Sequence, residues 1–233
     1  MPIQAYLRRP NLARYPFVFV IAYGRSGSTL LQGLLNSLPG YCIRGENGGA
    51  LQAVFQAHNR LKLARRQFGR KPTDPTFAWY GADRVSPRRF ASTCVDAFFD
   101  SCLNVPEGAR CCGFKEIRHT PKEMDDRQFT RYLDFLRRYF PGAAFIFNVR
   151  NAEDTASSGW WRKTDRAETI AVLEQTISRF KTFAESRTGT FVFDYDQLRA
   201  DSGYGRGLLE FLGEDYDTET LRHVLATRHS RIA

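Results

Sequence analysis

The chain has 233 residues, 42% of them hydrophobic and 25% charged, enough apolar content to bury a sheet with helices on both faces and too much for a disordered chain. Its net charge of +9 calls for an anionic partner, but no helix-turn-helix spacing, zinc knuckle or aromatic-interleaved strand motif accompanies it, which argues against nucleic acid as the main partner. Five cysteines without C-x-x-C spacing and four scattered histidines argue against a metal centre, and no apolar stretch is long enough to cross a bilayer, so reduced thiols and a cytoplasmic setting are expected.

Residues 1–15, polar and basic from Tyr6 to Tyr15, read as an N-terminal extension of a single domain over residues 1–233. Phe17 to Ala22 is a continuous apolar run, the pattern of a strand buried on both faces. Gly24-Arg25-Ser26-Gly27 then reads as a tight turn, and a helix is predicted near 29–37. Strand, small-residue turn and helix N-terminus together make an anion cradle. Amides freed by the turn point inward, the helix end adds partial positive charge, and the hydroxyls of Ser26, Ser28 and Thr29 add donors. A nucleoside-triphosphate loop needs G-x-x-x-x-G-K-[ST]; this loop is shorter and has Arg25 at its start.

The run Arg25-Ser26-Gly27-Ser28-Thr29-Leu30-Leu31 resembles the 5′-phosphosulfate loop of sulfotransferases that use 3′-phosphoadenosine 5′-phosphosulfate (PAPS) as donor. The resemblance implies that Arg25, Ser26, Gly27, Ser28, Thr29 and Leu30 contribute to the donor site, Leu30 standing where cytosolic members carry an adenine-stacking aromatic. Further on, Gly45-Glu46 matches a Gly-Glu pair of the tyrosylprotein and several carbohydrate members. Its offset of 21 residues from Arg25 is similar to the tyrosylprotein pattern, where this Glu is the base that takes the acceptor's proton.

Helices are predicted near 50–67 and 87–103, separated by two distinctive stretches. The basic run from Arg60 to Lys71 reads as a solvated helix face, and Lys71 to Pro87, with prolines at 72, 75 and 87, reads as a loop that shapes substrate entry. A strand follows near 111–117. Its G-F-K-E core is similar to the central strand of carbohydrate and tyrosylprotein sulfotransferases, which makes Lys115 a second cation for the transferring sulfonate beside Arg25. Glu116 is a fallback base on the opposite strand face, and His119 ranks second to Glu46 as base.

After a helix near 127–139, the apolar run 144–149 ends in Arg150. Arg150 and Ser158, eight residues apart, have the spacing of the family's 3′-phosphate pair, and a helix of a little over two turns would bring them together. Trp160 or Trp161 is a candidate adenine platform and equally a core or acceptor-wall residue. A helix near 166–186 and a strand near 190–195 precede a segment, Gly207 to Gly213, similar to the family's F-L-G helix. The family's C-terminal R-K-G clamp has no clear match; Arg228, His229 and Arg231 are the substitutes considered.

This alternation of strands and helices predicts an α/β fold, a doubly wound parallel sheet flanked by helices, P-loop-like in the manner of sulfotransferases, with the motifs on the strands' carboxyl edge. The expected activity is transfer of a sulfonate from PAPS to an acceptor hydroxyl, a carbohydrate or glycolipid first among acceptors, releasing 3′-phosphoadenosine 5′-phosphate (PAP) without a metal. A P-loop-like nucleotide-dependent kinase and a non-catalytic nucleotide-binding protein are the alternatives.

Overall fold

The computed structural model describes residues 2–70 and 74–215. The order begins α1 (Ile3–Tyr6), β1 (Phe17–Ile21), α2 (Ser28–Asn36), β2 (Tyr41–Arg44), α3 (Ala50–Phe68) and α4 (Pro87–Phe98), the last continued by a π-helical turn, Phe99–Leu103. It proceeds through β3 (Cys111–Glu116), α5 (Asp126–Tyr139), β4 (Ala143–Val149), α6 (Ala152–Ala156), α7 (Arg166–Glu185), β5 (Thr190–Asp194), α8 (Tyr195–Ala200) and α9 (Gly205–Leu212).

Every strand pairing is parallel, in the spatial order β2-β3-β1-β4-β5. Central β1 is buried along its whole length, so side-chain alternation feeds two cores. Phe17, Phe19 and Ile21 join the apolar faces of α3, α4, α5 and α7, whereas Val18 and Val20 join those of α2, α8 and α9. The doubly wound α/β sheet expected from the sequence is therefore present. The chain leaves β1 toward β2 in one direction and leaves β4 toward β5 in the other. These connections part between β1 and β4, and such a switch point opens a crevice at the carboxyl edge.

Several local features differ from the sequence reading. β2 was not anticipated: it has four residues at the sheet edge, only Tyr41 and Ile43 are buried, and it exists because Tyr41–Arg44 pairs with Cys111–Phe114. The polar N-terminal extension contributes Ile3 and Tyr6 to the core, with the Tyr6 ring 5.4 Å from those of both Phe17 and Phe99. The helix predicted to 103 keeps α geometry only to Phe98 and stops where Asn104 turns left-handed at φ 40°. Of the stretch read as a substrate-entry loop, residues 71–73 lie outside the described residues. The described remainder sits against the far end of α3: Trp79 stacks on Phe68 at 4.2 Å, and Arg65 donates to the Val85 carbonyl at 2.7 Å. Phe68 is about 27 Å of helix from Ala50.

Candidate active site

The turn after β1 is held open from several sides. Ser26 is fully buried, its hydroxyl donates to the Tyr23 carbonyl at 2.8 Å, and its own carbonyl accepts from Asn148 Nδ2 at 2.7 Å. Gly27 caps α2 at φ 84°, a left-handed conformation that favours glycine. A Cβ there would also lie 2.1 Å from the Tyr195 ring, and one on Gly24 would lie 2.2 Å from Trp160. Glycine at these two positions lets aromatic rings close over the backbone. Within α2, the amides of Leu30 and Leu31 turn back to the Gly27 carbonyl, while those of Gly27, Ser28 and Thr29 donate to no group among the described residues. Unspent donors at a helix N-terminus stabilise an anion.

Arg25 takes φ 68°, an uncommon backbone for a residue with a Cβ and one that costs about 1–2 kcal/mol. Contacts on both ends sustain it: Nε donates to Ser158 Oγ at 3.3 Å, the guanidinium sits 6.0 Å from the Trp160 ring, and the Arg25 carbonyl accepts from Arg150 Nη1 at 3.3 Å. The end of β4 is pinned to the same turn. Tyr23 donates its hydroxyl hydrogen to the Arg150 carbonyl at 2.7 Å and accepts from the Arg150 amide at 2.9 Å. Burial pushes the Tyr23 hydroxyl well above the usual phenol range, so it remains a donor. Arg150 is aimed by the Tyr195 ring, 5.0 Å from its guanidinium, and by Asp196, whose Oδ1 lies 3.9 Å from Nε; that buried Nε donates no hydrogen bond among the described residues.

A second cluster lies one strand over. Lys115 pairs in register with Val20, which places it on the α2 side of the sheet, and Nζ donates to Glu46 Oε1 at 2.5 Å. Lys115 is nearly buried, whereas Glu46 is partly open to solvent. The loop carrying Glu46 is fastened at both ends. Asn36 and Gln32 of α2 bond the Ile43 backbone, Asn36 accepting from its amide at 2.7 Å and donating to its carbonyl at 2.9 Å. On the other side buried Glu116 accepts from the Gly49 amide at 2.9 Å. One helix therefore presents free amides at its start and holds the strand that leads into the Glu46 loop.

The structure thus brings Arg25, Gly27, Ser28, Thr29, Arg150 and Ser158 around one turn, and Lys115 with Glu46 beside it. Other expected roles change. The Ser26 hydroxyl is spent on Tyr23, and Leu30 is buried in the core with its amide bonded to Gly27, so these two shape the turn instead of offering side-chain contacts or a free amide. Arg150 and Ser158 do not meet through one two-turn helix: α6 stops at Ala156, Ser158 is extended at φ −118°, and the two residues converge on Arg25. Glu116 is a buried anchor for the Glu46 loop. His119 is fully buried, with Nδ1 3.2 Å from the Ala22 carbonyl, and burial lowers its pKa to about 4. It belongs to the core against Phe129 and Tyr132. Arg228, His229 and Arg231 lie outside the described residues.

Four contributing residues escaped the sequence reading. Asn148 carried a signal, being the one polar residue inside a buried apolar strand. Tyr23 and the Tyr195-Asp196 pair had none at short range, because they act on partners more than 40 residues away. Trp161 donates Nε1 to the Gly24 carbonyl at 2.9 Å and is structural, while Trp160 remains 46% exposed above Gly24. Among the described residues no cluster of His, Cys, Asp and Glu could hold a metal ion, no helix is long and apolar enough to cross a membrane, and all five thiols are unpaired.

Residues 16–218 match the sulfotransferase family. No curated protein sequence matches the chain significantly. Among solved structures it is similar to the sulfotransferase STF9 from Mycobacterium avium, at 14% identity over 96% of this chain and 71% of that one, with a TM-score of 0.48. It is also similar to a sulfotransferase domain from the curacin biosynthetic pathway, at 13% identity over 91% of this chain and 78% of that one, with a TM-score of 0.48.

Proposed function

This chain belongs to the sulfotransferase family, and we propose that it transfers a sulfonate from PAPS to a hydroxyl of an acceptor, a carbohydrate or glycolipid being the class its motifs resemble. The observation that carries the reading is the convergence of Arg25, Arg150 and Ser158 on a turn whose Gly27, Ser28 and Thr29 amides are unspent, with Lys115 and Glu46 one strand away.

In this reading the turn amides and the hydroxyls of Ser28 and Thr29 hold the donor's 5′-phosphate, and Arg150 with Ser158 holds the 3′-phosphate. Sulfuryl transfer, like phosphoryl transfer, depends mainly on positioning and charge stabilisation. The acceptor oxygen forms a bond to sulfur as the bond from sulfur to the 5′-phosphate oxygen breaks, and PAP leaves with that bond's electron pair. Arg25 and Lys115 stabilise the charge spread over the sulfonate and the leaving oxygen. Glu46 takes the acceptor's proton: Oε1 is engaged by Lys115, and Oε2 has no partner among the described residues.

The test is calorimetric binding of PAP, compared with ADP and ATP plus Mg²⁺, to the parent and to Arg150→Ala, followed by transfer assays with labelled PAPS. Metal-independent PAP binding, weakened about 10- to 100-fold by the substitution, is the expected result. Preference for ATP with Mg²⁺, or indifference to losing Arg150, would overturn the reading.

A further inference from the structure

The basic run that the sequence reading assigned to a solvated face contributes to something more specific. His58, Lys62 and Arg65 lie at i, i+4 and i+7 on α3 and therefore share one face. That face, the start of α4 at Ser86–Arg88, and Arg138 from the last turn of α5 enclose a concavity of about 400 Å³. Four permanent cations line it, Lys62, Arg65, Arg88 and Arg138, and no acidic residue does. None of the four forms an ion pair among the described residues.

Two further observations indicate an uncompensated positive field. The α4 N-terminus opens here, and the amides of Arg88 and Arg89 donate to no group among the described residues. His58 donates Nδ1–H to the Pro87 carbonyl at 2.9 Å, which fixes its ring at the inner wall. Burial lowers the His58 pKa, the bond to the Pro87 carbonyl pulls it upward, and Lys62, Arg138 and Arg88 lower it further. The unpaired Tyr139 hydroxyl is buried behind the same wall, its ring 6.4 Å from that of His58.

The geometry points to a second anion site, which takes a ligand bearing clustered phosphate or sulfate groups. Its chemistry follows from the lining: guanidinium forks and an ammonium group match multiply charged oxyanions, and the concavity exceeds the volume of a single phosphate. The site is separate from the turn after β1. Along α3, His58 is about 12 Å and Arg65 about 22 Å from Ala50, which follows the Glu46 loop. The inference does not rest on the donor or acceptor proposed above.

Inorganic pyrophosphate is the probe, titrated calorimetrically into the parent, into Arg88→Gln/Arg138→Gln, and into Arg8→Gln/Arg199→Gln, which removes equal charge from exposed positions elsewhere. All four arginines are exposed, and circular dichroism checks the fold of each variant. The expected result is a binding class that weakens at least about tenfold in Arg88→Gln/Arg138→Gln and stays near parental in the control. Pyrophosphate should also raise the pKa of His58, followed by its ring-proton resonance. Equal weakening in both double variants, no binding sensitive to Arg88 and Arg138, or an unmoved His58 titration would overturn the site. Occupancy of the turn after β1 would appear as a second class insensitive to those substitutions.

Discussion

Lys115 Nζ lies 2.5 Å from Glu46 Oε1, with 7% of the lysine side chain exposed against 41% of the glutamate. The pair joins a cation held inside the sheet to a carboxylate on a loop that reaches solvent. Such an arrangement fixes the carboxylate's position while leaving its second oxygen accessible.

If Glu46 is the proton acceptor, Glu46→Gln lowers kcat for sulfonate transfer by about 10²- to 10⁴-fold. PAP affinity stays near the parental value, because the turn amides and Arg150 are untouched. Lys115→Met lowers kcat by about 10²- to 10³-fold, the usual scale for losing one transition-state donor. Steady-state kinetics with labelled PAPS, paired with PAP calorimetry, separates chemistry from binding; a parallel loss of PAP affinity in Glu46→Gln would refute the assignment.

Tyr23→Phe removes the hydroxyl that bonds both the amide and the carbonyl of Arg150. Two backbone groups at the end of β4 lose their partner, so unfolding free energy should drop by about 1–3 kcal/mol in urea titrations. Arg150 loses its aim at the same time, and PAP should bind more weakly in the folded variant.

Gly27→Ala meets two costs: a left-handed backbone at φ 84° and a Cβ driven to 2.1 Å from the Tyr195 ring. Destabilisation of more than about 1 kcal/mol is expected, with loss of PAP binding. Tyr195→Ala in the same chain removes the clashing Cγ, Cδ2 and Cε2 atoms and so should offset part of the cost of the clash, and none of the backbone cost. A double-mutant cycle measures this coupling, and simple additivity would count against ring contact as the cause.

His119 predicts an acid-side loss of stability. Burial holds its folded pKa near 4, below the ordinary value of 6.5; neighbouring Glu116 and backbone acceptors pull it upward, and Arg179 pulls it down. The unfolded chain therefore binds a proton that the folded chain refuses between those two values. The contribution is fully present above about pH 6.5 and is lost as pH falls toward 4, with a slope approaching 1.4 kcal/mol per pH unit for this one group. Urea unfolding at a series of pH values should show this component in the parent and lack it in His119→Gln.

Much of the architecture was legible from residue order alone. Phe17–Ile21 announces itself as a buried strand because both of its faces are apolar, Ala143–Val149 is apolar but for Asn148, and the turn chemistry of Gly24–Thr29 is local, set by small residues beside a helix start. Arg25, Glu46, Lys115, Arg150 and Ser158 were named because the short motifs that carry them resemble those of sulfotransferases.

What residue order could not supply is which groups are already spoken for. The Ser26 hydroxyl and the Leu30 amide resemble ligand donors on paper, yet Tyr23 and Gly27 consume them. His119 resembles a general base until the packing of Phe129 and Tyr132 encloses it. β2 needed β3 as a template, and Arg150 is aimed by Tyr23, Tyr195 and Asp196 from outside its own segment. Hydrogen-bond capacity is finite and burial is a property of the assembled layers. Availability to a ligand is therefore decided by partners distant in the chain, which only the tertiary structure brings within reach.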